Sequence, residues 1–517
     1  MVLEDRDMAG RLGRLLVVGR MKTRTVIAVV AGVTMAGLGA CGGISTGARA
    51  DGESCQAAET QCGTVCCDNQ TQQCIQGVCH ARETKCVEGE TCAPGQVCID
   101  AQGCVDGCLI DGVYRALGTN NPSNPCEECT EESPGGWSAR PGRECNKDGG
   151  QVCSVEGECV PHSRVKRVSA SKDYTCAVTA AGAVKCWGCN NVGQLGDGTL
   201  EDKLVPTQVK GLDSGAIGVS TGWGTSCALL VGGRVVCWGS NAHGQTGSGS
   251  NEPTLVPRDI IGLGSGLIGV SNRVYSTLAL NSAGSILSWG NKTSSWSGCD
   301  TCYSAPTAMF GSPPATAISS GPCYTCVLTL DRDVWCDGLY HCAPPGVPNH
   351  NPYWFPNGDG LGLGTGVLAI SAGWLHACAT IAGGAVKCWG YNENGQLGDG
   401  TTIGSSYLAR QVSGLNDGIV KVAAGGYHTC AVDSIGRAKC WGANSSGQLG
   451  DGSTDDSSQP QLVLGLASDV VEISAGYSHS CAVTAAGTLM CWGLNEYGQL
   501  GNGSVDNSPV PVPVVGF

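Results

Sequence analysis

Twelve cysteines after residue 163 form six pairs with a constant spacing of ten. They are Cys176 and Cys186, Cys227 and Cys237, Cys326 and Cys336, Cys378 and Cys388, Cys430 and Cys440, and Cys481 and Cys491. Thiols can bind metal, remain reduced as nucleophiles, or oxidise to disulfides. A seventh copy of the phrase discriminates between these chemistries. It reads YSTLALNSAGSILSWG and has Leu278 and Ser288 at the two cysteine positions. Both thiols are absent together, as expected if each pair is bonded within its own copy, because losing one would orphan the other.

The spacing suits a clasp across a tight hairpin. In Cys176-Ala-Val-Thr-Ala-Ala-Gly-Ala-Val-Lys-Cys186, residues Ala180, Ala181 and Gly182 make a three-residue loop with glycine in the left-handed position. Gly233, Gly284, Gly384, Gly436 and Gly487 occupy the same place, and Arg332 replaces them in the fourth copy. Counting outward from a closing Thr179–Ala183 pair puts the cysteines at a non-hydrogen-bonded site. Cα atoms there lie about 4.5 Å apart, within reach of a disulfide. An 11-residue ring should contribute about 3 kcal/mol in the chain-entropy account. Trp187 follows its cysteine, so it points to the opposite face of the sheet and needs cover there.

Other residues could also do chemistry. His376, His428 and His479 each stand two positions before a repeat cysteine, which would allow a metal site between neighbouring copies. Tyr174, Thr225, Ser276 and Tyr324 share that column, which favours a hydrogen bond within the blade instead. The GQLGDG segments lack a following helix and a P-loop lysine, so they read as turns rather than phosphate cradles, and no loop has the ligand run of an EF-hand. Cys299-x-x-Cys302 and Cys323-x-x-Cys326 have zinc-like spacing, but Cys326 is claimed by Cys336. Clasping six pairs leaves Cys189, Cys299, Cys302, Cys323 and Cys342, an odd number, so one thiol should be free or pair elsewhere. No motif calls for a cofactor, a resident metal or a catalytic residue.

These residues need a frame to hold them. The first cysteine positions recur at intervals of 51, 51, 48, 52, 52 and 51 residues, giving seven copies over residues 164–517. Each copy has the hairpin, an extended piece before it (Ile419-Val-Lys-Val-Ala) and another after the GQLGDG turn (Leu204 to Leu212). Four short strands per unit match a propeller blade, and seven blades can close a ring. The segments CAVTAAGAVKCWGCNNVGQLGDGT, YNENGQLGDGT, ANSSGQLGDGS and LNEYGQLGNGS resemble the regulator of chromosome condensation repeat, which implies a seven-bladed β-propeller. The third copy lacks the GQLG turn, and the fourth has Trp335 before its cysteine. The expected fold is therefore all-β, a seven-bladed propeller at residues 163–517 preceded by small disulfide-rich modules.

Before the repeats, Cys55 to Cys159 holds 16 cysteines among turn-forming residues and few other apolar ones. Residues 51–162 therefore read as stapled disulfide modules, a stalk for the next domain. Cys126-x-x-Cys129 is better read as part of a disulfide than as a zinc half-site. Residues 1–50 contain MKTRTVIAVVAGVTMAGLGAC, a basic start followed by an apolar run of signal-peptide length, with Met21 as the expected start. Leu38-Gly39-Ala40-Cys41 resembles a bacterial lipobox, which implies lipidation of Cys41 and a membrane anchor; cleavage after Ala48-Arg49-Ala50 with free secretion is the alternative. With 34 cysteines and an export signal, disulfides in an oxidising compartment are expected. The net charge of −14 and the lack of a basic stripe argue against a nucleic-acid partner.

A rigid ring that displays loops suits a binding scaffold for a protein or glycan at the cell surface. Candidate contact residues are Tyr353, Trp354 and Phe355 in a proline-flanked insertion, with Trp296 in the eroded third copy; the alternative role is to cover the edges of two degenerate blades. The family resemblance also implies guanine-nucleotide exchange, which export argues against. A glycoside-acting enzyme of the Asp-box type is a third reading, and Thr329, Asp331 and Trp335 only approach that motif.

Overall fold

The computed structural model describes residues 113–130, 137–141, 143–145, 151–161, 164–291, 302–309, 313–321, 324–338, 361–364 and 366–517, and strands within residues 59–110. Cys41, Trp296, Cys299, Cys323, Cys342, Tyr353, Trp354 and Phe355 lie outside the described residues. The chain divides into two compact units, Met1–Cys92 with Cys98–Cys104, and Ala93–Val97 with Val105–Phe517. In the first, Glu59–Cys62 pairs with Val65–Asp68 and Gln72–Ile75 with Val78–Ala81. No helix among the described residues is long and apolar enough to cross a membrane.

The second unit contains the propeller. Blade 1 is a four-stranded antiparallel sheet of Val165–Ala170, Tyr174–Thr179, Val184–Gly188 and Lys203–Gln208, in chain order. Blades 2, 3, 5, 6 and 7 repeat it, beginning at Ala216, Leu267, Val367, Ile419 and Val470, and blade 4 shows three described strands from Ala315. Every strand of a blade comes from one continuous stretch of chain, so no blade is shared between the two ends of the domain. The ring closes by contact between whole blades. Ser474 of blade 7 accepts from the Ala170 amide of blade 1 at 2.9 Å, and the Val165 amide donates to the Gly487 carbonyl at 2.9 Å. Residues 151–161 rest on blade 1, where the Val155 amide meets the Ala180 carbonyl at 3.1 Å and Glu156 pairs with Lys166.

The hairpins have the expected register. Cys176 faces Cys186, and the Thr179 amide bonds to the Ala183 carbonyl at 2.9 Å to close the loop. Gly182 has φ +81°, and Arg332 reaches φ +62° without being glycine. All six pairs are disulfides within single blades, each with Cα atoms 4.1 Å apart. Leu278 faces Ser288 in the same register in blade 3.

The hydrophobic core lies between blades. The disulfide of one blade and the tryptophan of the next share a single cluster: Cys176 and Cys186 with Trp238, Cys378 and Cys388 with Trp441, and Cys481 and Cys491 with Trp187 across the closure. Inner strands are sheet edges whose amide groups need partners. Serines of the preceding blade provide them: Ser271 for the Ser320 amide, Ser319 for Ala372 and Ser371 for Ala424, all at 2.9 Å.

Replacing Cys378 and Cys388 together by Ala should lower the unfolding free energy by about 2–4 kcal/mol, read as an earlier guanidinium midpoint with an unchanged far-ultraviolet spectrum. The double change Leu278→Cys with Ser288→Cys should create a seventh clasp, seen as no added titratable thiol in denatured, unreduced protein.

Candidate functional site

Between the inner strand and the next strand of each blade, a short turn reaches the ring axis. Residues of these turns and the adjoining strand ends, from all seven blades, line an axial cavity of about 120 Å³. Its floor includes Gly222, Gly321, Gly373, Gly425 and Gly476. A Cβ on Gly425 would lie 2.5 Å from the Gly476 carbonyl oxygen, and one on Gly373 would lie 2.4 Å from that of Gly425. At these two positions the next blade approaches too closely for a larger residue, while blade 1 has Ser171 in the same column. Blade 3 departs from this pattern, with Asn272 and Arg273 facing the same cavity.

Aromatic rings gather at the mouth from four blades. Trp223 meets Trp374 edge-on with centroids 5.0 Å apart, Trp374 lies 4.5 Å from Tyr477, and Tyr427 lies 5.5 Å from Tyr477. Lys172 places its ammonium 5.3 Å from the Trp223 ring centre and pairs with Asp173 at 3.0 Å. Burial, with the neighbouring Tyr427, pushes the Tyr477 phenol up to about 12. These rings are half-buried, unlike the fully covered tryptophans of the blade cores. An aromatic rim with cations beside it can stack a flat ligand and attract an anion.

Sequence reasoning missed this site. Its signal is the column four places before each repeat cysteine, read across blades: Lys172, Trp223, Val274, Pro322, Trp374, Gly426 and Tyr477. The residue types vary too much for any single copy to stand out.

The three histidines are locks between blades. His376 Nε2 lies 2.8 Å from Thr429 Oγ1, His428 Nε2 2.8 Å from Ser480 Oγ, and His479 Nε2 2.8 Å from Thr175 Oγ1, each partner being in the next blade. The expected hydrogen bond within the blade is therefore corrected to one between blades. Each hydroxyl gives its proton to a backbone carbonyl, as Thr429 does to Gln396 at 2.9 Å, so the ring nitrogen must be the donor. Nε2 thus carries the proton and Nδ1 does not. Burial drives all three pKa values down to about 3. Among the described residues, the only group of three with metal-ligating atoms close together is Cys126, Cys145 and Cys153, and these belong to the Cys126–Cys153 and Cys145–Cys159 disulfides. Cys129 is also disulfide-bonded.

The GQLGDG segments are turns satisfied from within. Asn444 is fully buried; its Oδ1 accepts from the Leu449 amide at 2.9 Å and its Nδ2 donates to the Ser453 carbonyl at 3.1 Å. Asp451 accepts from the Ser453 amide and hydroxyl. Among the described cysteines Cys189 is the free thiol, and it is buried.

A closed ring of sheets with an axial site defines a seven-bladed β-propeller. One model of the regulator of chromosome condensation (RCC1) repeat matches residues 165–194, 216–245, 367–396, 419–448 and 470–499, and a second matches 181–229, 384–432, 436–483 and 486–517. The chain is similar to the ultraviolet-B receptor UVR8 of Arabidopsis thaliana, 28 % identical over 67 % of this chain and 81 % of that protein. It is also similar to the secretion-regulating guanine nucleotide exchange factor of Bos taurus, 25 % identical over 68 % of this chain and 71 % of that protein. Its match to the human E3 ubiquitin-protein ligase HERC2 is 27 % identical and spans only 7 % of that protein. Solved structures with the same fold include human WBSCR16, with a TM-score of 0.57 and 22 % identity over 65 % of this chain and 94 % of that one. Prp20p of Saccharomyces cerevisiae has a TM-score of 0.57 and 18 % identity over 68 % of this chain and 87 % of that one.

The histidine locks make stability depend on pH. The unfolded histidines, near pKa 6.5, take up protons that the folded ones refuse until about 3. Stability is therefore full above pH 6.5 and declines as pH falls toward 3. Denaturation midpoints measured from about pH 8 down to about pH 4 should fall accordingly, and replacing His376, His428 and His479 by Gln should flatten the curve.

Proposed function

We propose that this protein is an exported binding scaffold, anchored in the cell envelope through a lipid on Cys41, whose propeller loops recognise a protein or glycan at the cell surface. The observation that carries this reading is the set of six disulfides, one in each of six blades. Such bonds persist in oxidising compartments and are rare in reducing ones. The N-terminal apolar run with Cys41 at its end supports the same address.

The axial mouth adds a recognition surface to the rigid ring. Its aromatic residues stand in turns, where recognition residues concentrate, and the hydrogen-bonded ring beneath them does not need them. The function is binding without catalysis. Nucleotide exchange, suggested by the name of the Bos taurus relative, is the second reading. It requires a GTPase in the same compartment, and a disulfide-clasped ring outside the cytosol would not meet one.

Expressing the chain from Met21 in a bacterium that exports lipoproteins tests the address and the role together. The protein should sediment with membranes, and Cys41→Ser should release it to the soluble fraction. Purified protein presented to an array of surface glycans and envelope proteins should show saturable binding. Nucleotide release from a GTPase, or turnover of a glycoside, with no such binding would contradict the proposal.

A further inference from the structure

We propose that His376, His428 and His479 make one side of the ring acid-sensitive: mild acid opens the three consecutive junctions that join blades 5, 6, 7 and 1, and with them the axial turns that carry Trp374, Tyr427 and Tyr477. The device belongs to the ring itself and works whether or not the axial mouth holds a ligand.

Each imidazole is the first member of a three-part relay. His376 donates to Thr429, Thr429 donates to the Gln396 carbonyl, and that carbonyl also takes the Trp441 indole. His428 works through Ser480 onto Gln448 with Trp492. His479 works through Thr175 onto Gln499 with Trp187, at the closure of the ring. All three side chains are fully buried, and each Nδ1 has no hydrogen-bond partner. A proton arriving there makes a buried cation with an unsatisfied donor, and the junction must open to hydrate it.

The same edge of the imidazole supports the axial turn. A Cβ on Gly476 would lie 2.8 Å from His479 Cε1 and 2.9 Å from its Nδ1, and one on Gly425 would lie 2.9 Å from His428 Cε1. Gly425 and Gly476 line the axial cavity, and Tyr477 directly follows Gly476. The added proton therefore sits at the edge against which the turn rests.

Among the described residues no group is placed to neutralise the new charge. The elements packed around the histidines carry Lys387 in blade 5, Lys421, Asp433 and Lys439 in blade 6, Glu472 in blade 7, and Lys166, Arg167, Tyr174 and Lys185 in blade 1. The axial turns add Lys172, Asp173, Tyr427 and Tyr477, and the glycine-rich turns add Glu393, Asp399, Asp451 and Glu496. Glu472 is already paired with Arg167 and Lys421, and Asp433 with Arg437. The charge that acts on the histidines is their own, from His428 on both His376 and His479. Opening relieves that repulsion, which links the three junctions.

The other blades lack the trigger. Tyr174, Thr225, Ser276 and Tyr324 fill the same column, and none of these side chains takes up a proton in mild acid. Tyr174 makes the equivalent bond across the junction of blades 1 and 2, to Ser226 Oγ at 2.9 Å.

Hydrogen–deuterium exchange of the full-length oxidised protein at about pH 7.5 and about pH 5, corrected for the intrinsic pH dependence of exchange, reads the opening blade by blade. Protection should fall about tenfold or more in blades 5, 6 and 7 and stay near its neutral value in blades 2 and 3. Tryptophan emission should shift over the same range and recover at neutral pH. Changing His376, His428 and His479 together to Gln should abolish both responses. His428→Gln alone removes the member that acts on both others, should move the fluorescence midpoint to lower pH, and serves if the triple variant does not fold. Equal loss of protection in all blades, no change down to about pH 4.5, or an unchanged acid response in the folded variants overturns the inference.

Discussion

Five of the junctions between blades each turn on one backbone carbonyl. Gln396 O accepts the Trp441 indole at 3.0 Å and the Thr429 hydroxyl at 2.9 Å, both from the next blade. Gln194, Gln245, Gln448 and Gln499 do the same for Trp238 with Ser226, Trp289 with Thr277, Trp492 with Ser480, and Trp187 with Thr175. A buried indole N–H left unpaired would be costly, so the turn must present its carbonyl at one place. The turn also has to clear the ring. A Cβ on Gly398 would sit 2.5 Å from Trp441 Nε1, and Gly398 has φ +70°. The second glycine of GQLG is therefore a consequence of the tryptophan next door, and the buried asparagine that ties the turn is what keeps the carbonyl in place.

The junction between blades 3 and 4 shows that these parts act as a unit. Blade 3 lacks both the disulfide and the GQLG turn, and blade 4 has Asp337 where the tryptophan belongs. Leu278 fills the space of the clasp, and Trp335 packs against it from two positions earlier on the same strand. Because side chains alternate between faces with a period of two, that shift keeps the ring aimed at blade 3. Blade 3 is also where the axial cavity acquires Asn272 and Arg273. The blade freed from the common junction is the one that carries the unusual polar pair, while the six clasped blades hold the ring around it.

The clasps, the seven-fold count and the hairpin register were legible because each depends on spacing within one copy. Cys176 and Cys186 fix their own register, and Gly182 marks its own loop. What depends on the neighbouring copy was harder to read. The histidine column looked local because His428 stands two positions from Cys430, whereas its partner Ser480 lies a whole repeat away. Loss of the turn in blade 3 and of the tryptophan in blade 4 read as separate erosions until their contact was visible. The axial site was hidden for the opposite reason: Lys172, Trp223, Trp374 and Tyr477 share their column with Val274, Pro322 and Gly426, so no one residue type marks it along the sequence.

The central claim is that oxidised hairpins, one in each of six blades, hold the seven-bladed ring together. Mass mapping of the unreduced protein after proteolysis tests it most directly. The account predicts that each of the twelve clasp cysteines is linked to its partner ten residues away, with Cys189 free. Clasp cysteines linked to another blade, or recovered as free or metal-bound thiols, would contradict it.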